Sequence, residues 1–291
     1  MPVGETIPGS LADSLPVMIA DARIVREYDG TFQRTCDIRK QTEGTGSSWL
    51  EIALSQLEAA DIQDTTNNDN PQQIVDTLLT ITPTMSQIMI KITDRTYRKI
   101  AKVVEGKIGQ LAGNAMKRKK DEDYLGLFAS MGTGASPGTA TPLSFGHISA
   151  ATNRITSNVT EPSYAEIYSV LHGFQIYDIQ NEVVAGVGTY SFQNGLTEET
   201  FRKGFKGSVA NSNVFVDGNI TIDATPDANG ATHPRDGVVG VMAMTLKTET
   251  RRDPSFGGGA DEIFMTDEYA FAERLTAWNF RHFSDATAPT S

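Results

Sequence analysis

The sequence of 291 residues predicts an α+β fold in which strands and helices occupy separate stretches of the chain. Three observations predict it. Residues 33–93 contain runs in which apolar and polar residues alternate, as in half-buried β-strands. Residues 95–129 instead place an apolar residue at every third or fourth position, as in a long amphipathic helix. From Ser144 onward, short helical and strand-like patterns alternate between turn-forming residues.

Residues 1–32 are predicted to form an extended N-terminal arm. The steps Ile7-Pro8 and Leu15-Pro16 disfavour helix before each proline, although one short helical turn is expected near residues 15–20. Apolar residues of this stretch, such as Leu11, follow no sustained period. Because a single copy of the chain could cover them only in part, we expect neighbouring copies to complete the cover.

Residues 33–93 are predicted to form a long two-stranded excursion. Strand patterns cover residues 49–57, 79–81 and 88–92, and residues 61–73 between them are polar and rich in turn formers. A two-stranded ribbon is marginally stable alone in water, so we expect it to rest on another surface. The residues expected to contact a neighbouring copy are Trp49, Leu54, Asp64 and Asp69 here, with Leu11 and Leu15 in the arm.

Residues 95–129 carry the strongest helical pattern, and the predicted helix would be about 50 Å long at 1.5 Å per residue. Asp94 is the expected N-cap. A loop rich in glycine, serine, threonine and proline, residues 131–142, ends it. The predicted apolar stripe consists of Tyr97, Ile100, Val104, Ile108, Leu111 and Ala115.

The same helix is strongly basic. Residues 95–120 contain nine lysines and arginines against one acid, Glu105. Three glycines on its basic side weaken the helix, and positive charge in the first turn opposes the helix dipole. Two interpretations remain open: a solvated basic face, or a face turned toward a polyanion or an acidic partner. The residues projected onto this DNA- or scaffold-facing side are Arg95, Arg98, Lys99, Lys102, Lys117 and Lys120.

The remainder of the chain is predicted to be mixed. Helices are expected over residues 144–155 and 173–180, and strands over 166–171, 214–222 and 238–247. Turns are expected at Asp217-Gly218, Asn229-Gly230 and Asp236-Gly237. The final run, residues 262–283, is expected to contain a hairpin near residues 277–279.

Composition excludes several classes. The net charge of −11 argues against a nucleic-acid condenser, and the single cysteine, Cys36, excludes an intrachain disulfide framework and a cysteine-built metal site. The longest mostly apolar stretch, residues 237–244, is far shorter than the roughly 20 residues that cross a bilayer. No secretory signal pattern begins the sequence. We therefore expect no membrane partner.

Catalytic motifs are weak. Residues 134–138 match G-x-S-x-G around Ser136, but the next residue, Pro137, has no N–H to offer an oxyanion. The four histidines lack metal-ligand spacing. The run from Asp217 to Asp223 resembles part of a calcium loop but lacks its central glycine and terminal glutamate. We therefore expect no enzyme activity, cofactor or metal, with a serine hydrolase at Ser136 as a remote alternative.

Three stretches carry a resemblance to a known family. They are TDRTYRKIAKVVEGKIGQLAGNAMKRKKDEDYLGLFAS at residues 93–130, EPSYAEIYSVLHGFQIYDI at 161–179 and AFAERLTAWNFRHFSDATAP at 270–289. In this order, after an arm and a β-excursion, the chain resembles the major capsid proteins of tailed bacteriophages (Caudoviricetes), which have the Hong Kong 97-type fold. The resemblance covers about residues 11–288, and its specificity lies in the ordered set of parts.

The resemblance implies a division of the chain. Residues 1–32 would be the N-terminal arm and 33–93 the extended β-loop. Residues 94–145 and 260–291 would form the peripheral domain with its spine helix, and 146–259 the axial domain. Since Leu11 already lies near the arm, we expect a separate scaffolding protein rather than a fused one.

The resemblance also implies a function. Copies would assemble as hexamers and pentamers into an icosahedral virion shell, built in the bacterial host cytoplasm. A portal protein, a scaffolding protein, a decoration or cement protein, and weakly bound double-stranded DNA would be partners. The alternative left open is an encapsulin-like bacterial compartment of the same fold that stores a protein cargo.

Overall fold

The computed structural model describes residues 30–59, 61, 71–99, 102–186 and 208–290, with only the backbone described at 102–106 and 183–186. The predicted arm therefore lies almost wholly outside the described residues. The helices are α1 (Phe32–Thr35), α2 (Asp94–Tyr97), α3 (Lys102–Gly126), α4 (Phe145–Thr156) and α5 (Gly173–Gly186), with 3-10 turns at Leu127–Ser130 and Thr276–Trp278. The strands are β1 (Asp37–Lys40), β2 (Trp49–Leu54), β3 (Asp76–Ile81), β4 (Thr84–Thr93), β5 (Ile167–Leu171), β6 (Ser208–Val209), β7 (Ser212–Val216), β8 (Asp227–Pro234), β9 (Val238–Asp253), β10 (Ala260–Glu273) and β11 (Phe280–Asp285).

A four-stranded sheet in the order β1-β9-β10-β4 supports the long helix. Strand β10 runs antiparallel to both β4 and β9, and β1 runs parallel to β9. Ile88 and Ile90 alternate along β4, so both side chains lie on the face that packs against Ala112 and Met116 of α3. The apolar residues of β4 and those of α3 therefore pack together and hold the helix on the sheet.

A five-stranded sheet in the order β11-β8-β5-β7-β6 forms the second layer. Its central strand β5 has the sequence IYSVL, and all five residues are buried. A continuous run of this kind is typical of a strand covered on both faces. Helices α4 and α5 supply part of the cover through Ile148, Ile176 and Ile179, which pack around Leu171.

The two sheets meet around Tyr124 near the end of α3. Its ring is fully buried among Phe32, Phe128 and Val170. Its hydroxyl shares hydrogen bonds with the Thr35 hydroxyl at 2.8 Å and with His233 Nε2 at 2.7 Å. Buried tyrosine hydroxyls need such partners, so this side chain ties α1, α3 and β8 together.

Several predicted elements are confirmed. The β-excursion is the antiparallel pair β2–β3, and the predictions for α4 and β5 fall within one residue of the observed bounds. Helix α5 begins at the predicted Gly173 but continues to Gly186, beyond the predicted end at residue 180. Ser144 caps α4 in a capping box: its side chain accepts from the N3 backbone N–H, and its own backbone N–H donates to His147 Nδ1 at 3.3 Å. None of the helices in the described part of the chain is long and apolar enough to cross a membrane.

The long helix differs from its prediction in three ways. It is not continuous from Arg95, because α2 ends at Tyr97, a turn follows at residues 98–99, and α3 begins at Lys102. The N-cap is Thr93 rather than Asp94. The Thr93 hydroxyl accepts from the Thr96 N–H, while Asp94 forms an ion pair with Arg252 of β9. Leu111 of the predicted stripe is exposed.

Two predictions about turns were wrong. The final run is not a hairpin, since β10 pairs with β4 and β9 while β11 crosses to the other sheet and pairs with β8. Asn229-Gly230 is not a turn but lies inside β8. A Cβ at Gly230 would lie 2.6 Å from Leu171 Cδ2, so this glycine permits close packing rather than a reversal.

Strand pairing also crosses the division expected at residue 260. Strand β9, placed in the axial domain by the resemblance, pairs along most of its length with β10, placed in the peripheral domain. Strand β11, placed with β10, belongs to the five-stranded sheet. The excursion itself is shorter than residues 33–93, because β1 and β4 at its two ends are strands of the four-stranded sheet.

Candidate assembly surface

The ribbon formed by β2 and β3 exposes one apolar face. In its antiparallel register Ile52 lies opposite Leu78, Leu50 opposite Thr80, and Leu54 opposite Asp76. Residues directly opposite each other share a face, and every second residue along a strand returns to it. Leu50, Ile52, Leu54 and Leu78 are 60%, 61%, 69% and 55% exposed, respectively. We call these four residues the ribbon face.

The opposite side of the ribbon contacts the subunit itself. Trp49 and Ile81 lie opposite each other at the foot of the ribbon, and they pack with Leu79 against Val239 and Val241 of β9. Ile81 is 3% exposed, whereas the ribbon face is more than half exposed. The sequence prediction that the ribbon rests on another surface is therefore confirmed at its foot.

Arg274 fixes the foot of the ribbon to the body. Its guanidinium lies 2.8 Å from Glu51 of β2 and 2.9 Å from Asp37 of β1, and it donates to the Asp236 carbonyl at 2.6 Å. Burial alone would lower the pKa of Arg274, but the hydrogen bonds to Asp37 and Glu51 outweigh it and raise this pKa. The ribbon is thus anchored by a charged, half-buried clamp that sequence analysis did not identify.

Exposed apolar side chains continue on β4. Met85 and Met89 are 65% and 49% exposed. They lie on the face of the four-stranded sheet opposite to Ile88 and Ile90, which pack toward α3. Apolar surface therefore occurs both on the ribbon and on the sheet beside it.

The predicted contact residues have different positions. Leu54 lies on the ribbon face. Trp49 does not: it is half-buried at the foot, where it packs within its own subunit, because it lies one residue out of phase with Leu50. The predictions that fall outside the described residues are those for Leu11, Leu15, Asp64 and Asp69. Leu50, Ile52 and Leu78 were not named from the sequence, although the alternation of Leu50, Ile52 and Leu54 was a visible signal.

Only part of the predicted basic face is shown to be exposed to solvent. Arg95, Arg98, Lys99 and Lys117 are exposed. The backbone of Lys102 begins α3, and its side chain lies outside the described set.

Lys120 is a correction to the predicted basic face. Its ammonium lies 2.5 Å from Asp267 Oδ2 and 5.2 Å from the centre of the Tyr269 ring. The side chains of Lys120 and Asp267 are 17% and 2% exposed. The β9–β10 register shifts between Thr266 and Glu268, on either side of Asp267, as at a β-bulge. Lys120 therefore neutralises a buried acid inside the subunit and does not face a polyanion.

Other basic residues of α3 are also paired. Arg118 lies 3.4 Å from Glu122, and Lys119 pairs with Asp123, each one helical turn ahead. Such exposed i,i+4 pairs contribute a few tenths of a kcal/mol at most, but they reduce the local charge excess. The net positive field of the helix is weaker than its sequence suggests.

Ser136 is a structural residue in the described fold. Its hydroxyl donates to the Phe283 carbonyl at 3.1 Å and accepts from the Phe283 N–H at 2.9 Å. These bonds fasten the loop to β11 and occupy the proton and a lone pair that a nucleophile would need free. The hydrolase alternative therefore has no support in the geometry.

The buried histidines serve as hydrogen-bond partners. Burial lowers the pKa of both His233 and His282 to about 4. His233 bonds Tyr124 and the Pro234 carbonyl, and His282 bonds Thr232 and the Ala135 carbonyl. Within the described ranges, no group of three or more His, Cys, Asp or Glu residues is placed to hold a metal ion.

Comparison with known proteins gives a result at the level of structure. No family model matches the sequence, and no curated protein matches it. A chain from a structure of Mycobacterium phage Che8 superposes with a TM-score of 0.71 at 13% identity, over 92% of this chain and 96% of that one. A chain from the capsid of cyanophage P-SCSP1u gives 0.68 at 12% identity, over 94% and 93%. A chain from the head of Helicobacter pylori bacteriophage KHP40 gives 0.68 at 10% identity, over 99% of each.

Another similar chain comes from the capsid of a native GTA particle, with a TM-score of 0.68 at 12% identity over 95% of this chain and 97% of that one. The likeness extends over nearly the whole length of both chains in each comparison. The chain therefore has the α+β fold of phage capsid proteins, which confirms the predicted fold class.

Proposed function

We propose that copies of this chain assemble, as hexamers and pentamers, into the closed icosahedral shell of a tailed phage, which encloses double-stranded DNA. The role is structural rather than catalytic. The observation that carries the proposal is the ribbon face, an apolar surface on a separate two-stranded sheet that is exposed in a single copy.

The energetics favour burial of the ribbon face against another copy. Covering an exposed leucine or isoleucine fully contributes about 1.5–3 kcal/mol, so the remaining exposure of four such residues represents roughly 4–7 kcal/mol. An isolated two-stranded ribbon is also marginally stable, and a second surface would hold its distal part. Exposed apolar surface of this kind is typical of obligate interfaces, which bury more than ~2,000 Å².

The charge distribution supports loose contact with DNA. With a net charge of −11, the subunit as a whole repels a polyanion. Arg95, Arg98 and Lys99 are the exposed basic residues at the α2 end of the helical region. Contact through a few such residues would be non-specific and would weaken with salt.

The same proposal includes the partners that the sequence resemblance implies. These are a portal protein, a separate scaffolding protein and a decoration or cement protein. The shell would be assembled in the bacterial host cytoplasm and would remain in the virion. The likeness to phage and GTA structures supports this setting.

The test is a paired substitution on the ribbon face. Ile52→Lys with Leu78→Glu places opposite charges at directly opposed positions, so the ribbon keeps a favourable cross-strand pair while its face becomes polar. The control, Ile52→Val with Leu78→Ile, keeps the face apolar. Sedimentation and negative-stain microscopy would measure assembly, and circular dichroism would verify folding.

We expect both variants to fold and only the control to form shells. Shells formed by the Lys/Glu variant at the wild-type protein concentration would show that the ribbon face is not an assembly surface. The contents of purified wild-type particles would separate the two kinds of shell: a phage capsid contains DNA, whereas a bacterial compartment contains a protein cargo.

A further inference from the structure

Two buried carboxyl groups lie where the described chain begins. Asp121 is on α3, and Asp217 immediately follows β7. Both are completely buried, and Thr31, which precedes α1, is 5% exposed. At Gly30 a Cβ would lie 2.6 Å from Asp121 Oδ1, so the chain passes directly over this acid.

Thr31 and Asn219 each bridge the two acids. The Thr31 N–H donates to Asp121 Oδ1 at 2.8 Å, and its hydroxyl donates to Asp217 Oδ2 at 3.0 Å. The Asn219 amide donates to Asp121 Oδ2 at 2.9 Å, and its backbone N–H donates to Asp217 Oδ1 at 2.9 Å. Each of the four carboxyl oxygens therefore receives a donor, and the Phe32 N–H also approaches Asp121 Oδ1 at 3.5 Å.

No cation compensates this pair within the part of the chain that the structure describes. The ion pairs found there involve neither carboxyl. The titratable groups that interact with the pair are Cys36 beyond α1, Tyr124 on α3 and His172 after β5. Burial raises the pKa of the Cys36 thiol and of Tyr124, and it lowers the pKa of His172, so burial favours the neutral form of all three.

We propose that Asp121 holds a proton beside Asp217 and that the two side chains form a proton-dependent clasp, which fastens the entry of the chain at Thr31 and Phe32 to α3 and to the loop after β7. With the proton present, the pair carries one charge and its oxygens accept four hydrogen bonds. Without it, two buried negative charges repel each other across Thr31 and Asn219. The clasp then loosens.

The direction of the pH dependence follows from Asp121. Burial, the largest cause, raises the pKa of its carboxyl to about 7; the hydrogen bond from Asn219 opposes this, and Asp217 adds to it. An aspartate in the unfolded chain has a pKa of 3.8. The stabilising effect of the clasp is therefore fully present below about pH 4 and is lost as the pH rises through about 7.

Hydrogen exchange at the Thr31 amide tests the proposal. Exchange of the soluble subunit, corrected for the intrinsic rate of the peptide, would be measured at ~pH 5 and ~pH 8, on either side of the Asp121 pKa of about 7. We expect protection of Thr31 to fall ~10-fold or more at the higher pH, the change that one unit of differential proton affinity produces. Unchanged protection in the wild type would overturn the proposal.

Variants locate the proton. Asp121→Asn keeps an acceptor oxygen but cannot ionise, so its Thr31 protection should be equal at the two pH values; a wild-type response in this variant would also overturn the proposal. Glu122→Gln, at the next position of α3 and exposed, is the matched control and should respond as the wild type does.

If Asp121→Asn does not fold, Asp217→Asn replaces it. With one carboxyl left, the loss of Thr31 protection should move to lower pH. These measurements concern a single subunit, so their outcome is independent of shell formation.

Discussion

Replacing Lys120 with methionine removes the positive charge that faces Asp267 while keeping most of the apolar stem. The two side chains are 17% and 2% exposed, and their charged atoms lie 2.5 Å apart. Asp267 Oδ1 has no hydrogen-bond partner within the described residues, so the contact between Oδ2 and Lys120 is what compensates the negative charge of Asp267. The variant therefore leaves a buried carboxyl without its cation.

The size of the effect follows from this burial. Removing one member of a buried ion pair costs about 3–5 kcal/mol, because the remaining charge stays desolvated. Because the Lys120 side chain is 17% exposed and the pair is therefore not fully shielded from water, we expect the lower end of this range, about 3 kcal/mol. Against a typical total of 5–15 kcal/mol, this is a large fraction of the free energy of unfolding.

Urea unfolding of Lys120→Met, monitored by circular dichroism, would measure the loss. Lys117→Met is the matched control, since Lys117 is exposed one turn earlier on the same helix, and it should change stability by no more than ~0.5 kcal/mol. The double variant Lys120→Met with Asp267→Leu should recover most of the loss. Equal stability of the Lys120 and Lys117 variants would refute the assignment of Lys120 to an internal ion pair.

Two further predictions concern residues singled out in the sequence. Trp49→Ala should lower the free energy of unfolding of the subunit by about 1–3 kcal/mol in the same urea assay, because Trp49 packs on Val239 and Val241 at the ribbon foot; an effect on assembly with unchanged subunit stability would contradict this position. Ser136→Ala should cost about 1–2 kcal/mol through its lost bonds to Phe283, with ester hydrolysis at background in both proteins. Hydrolysis by the wild type that the variant lacks would reinstate the catalytic alternative.

Periodicity predicted the elements whose pattern is local. The alternation along β2 and β4 and the long apolar repeat of α3 are visible in the sequence, and the structure contains all three. The N-cap was misplaced by one residue, because Thr93 and Asp94 are both suitable capping residues. Only the contact between Asp94 and Arg252 shows why Thr93 forms the cap.

Properties set by distant residues could not be predicted. Lys117 and Lys120 project to the same side of a helix, yet Lys120 forms a buried ion pair and Lys117 is exposed. The difference comes from Asp267 on β10, which lies 147 positions along the chain from Lys120. Asp121 belongs to the acidic end of a charged run, and nothing in its local sequence indicates burial. Its burial is possible because Thr31 and Asn219, 90 residues before it and 98 residues after it in the sequence, supply hydrogen bonds to its carboxyl oxygens.

Imaging of the purified wild-type protein at high concentration, with scaffolding and portal proteins supplied, tests the proposed function most directly. The expected result is closed shells of uniform size in which the ribbon face of each copy lies against a neighbour. Solitary folded subunits under all these conditions, with no shells in micrographs or sedimentation profiles, would contradict it.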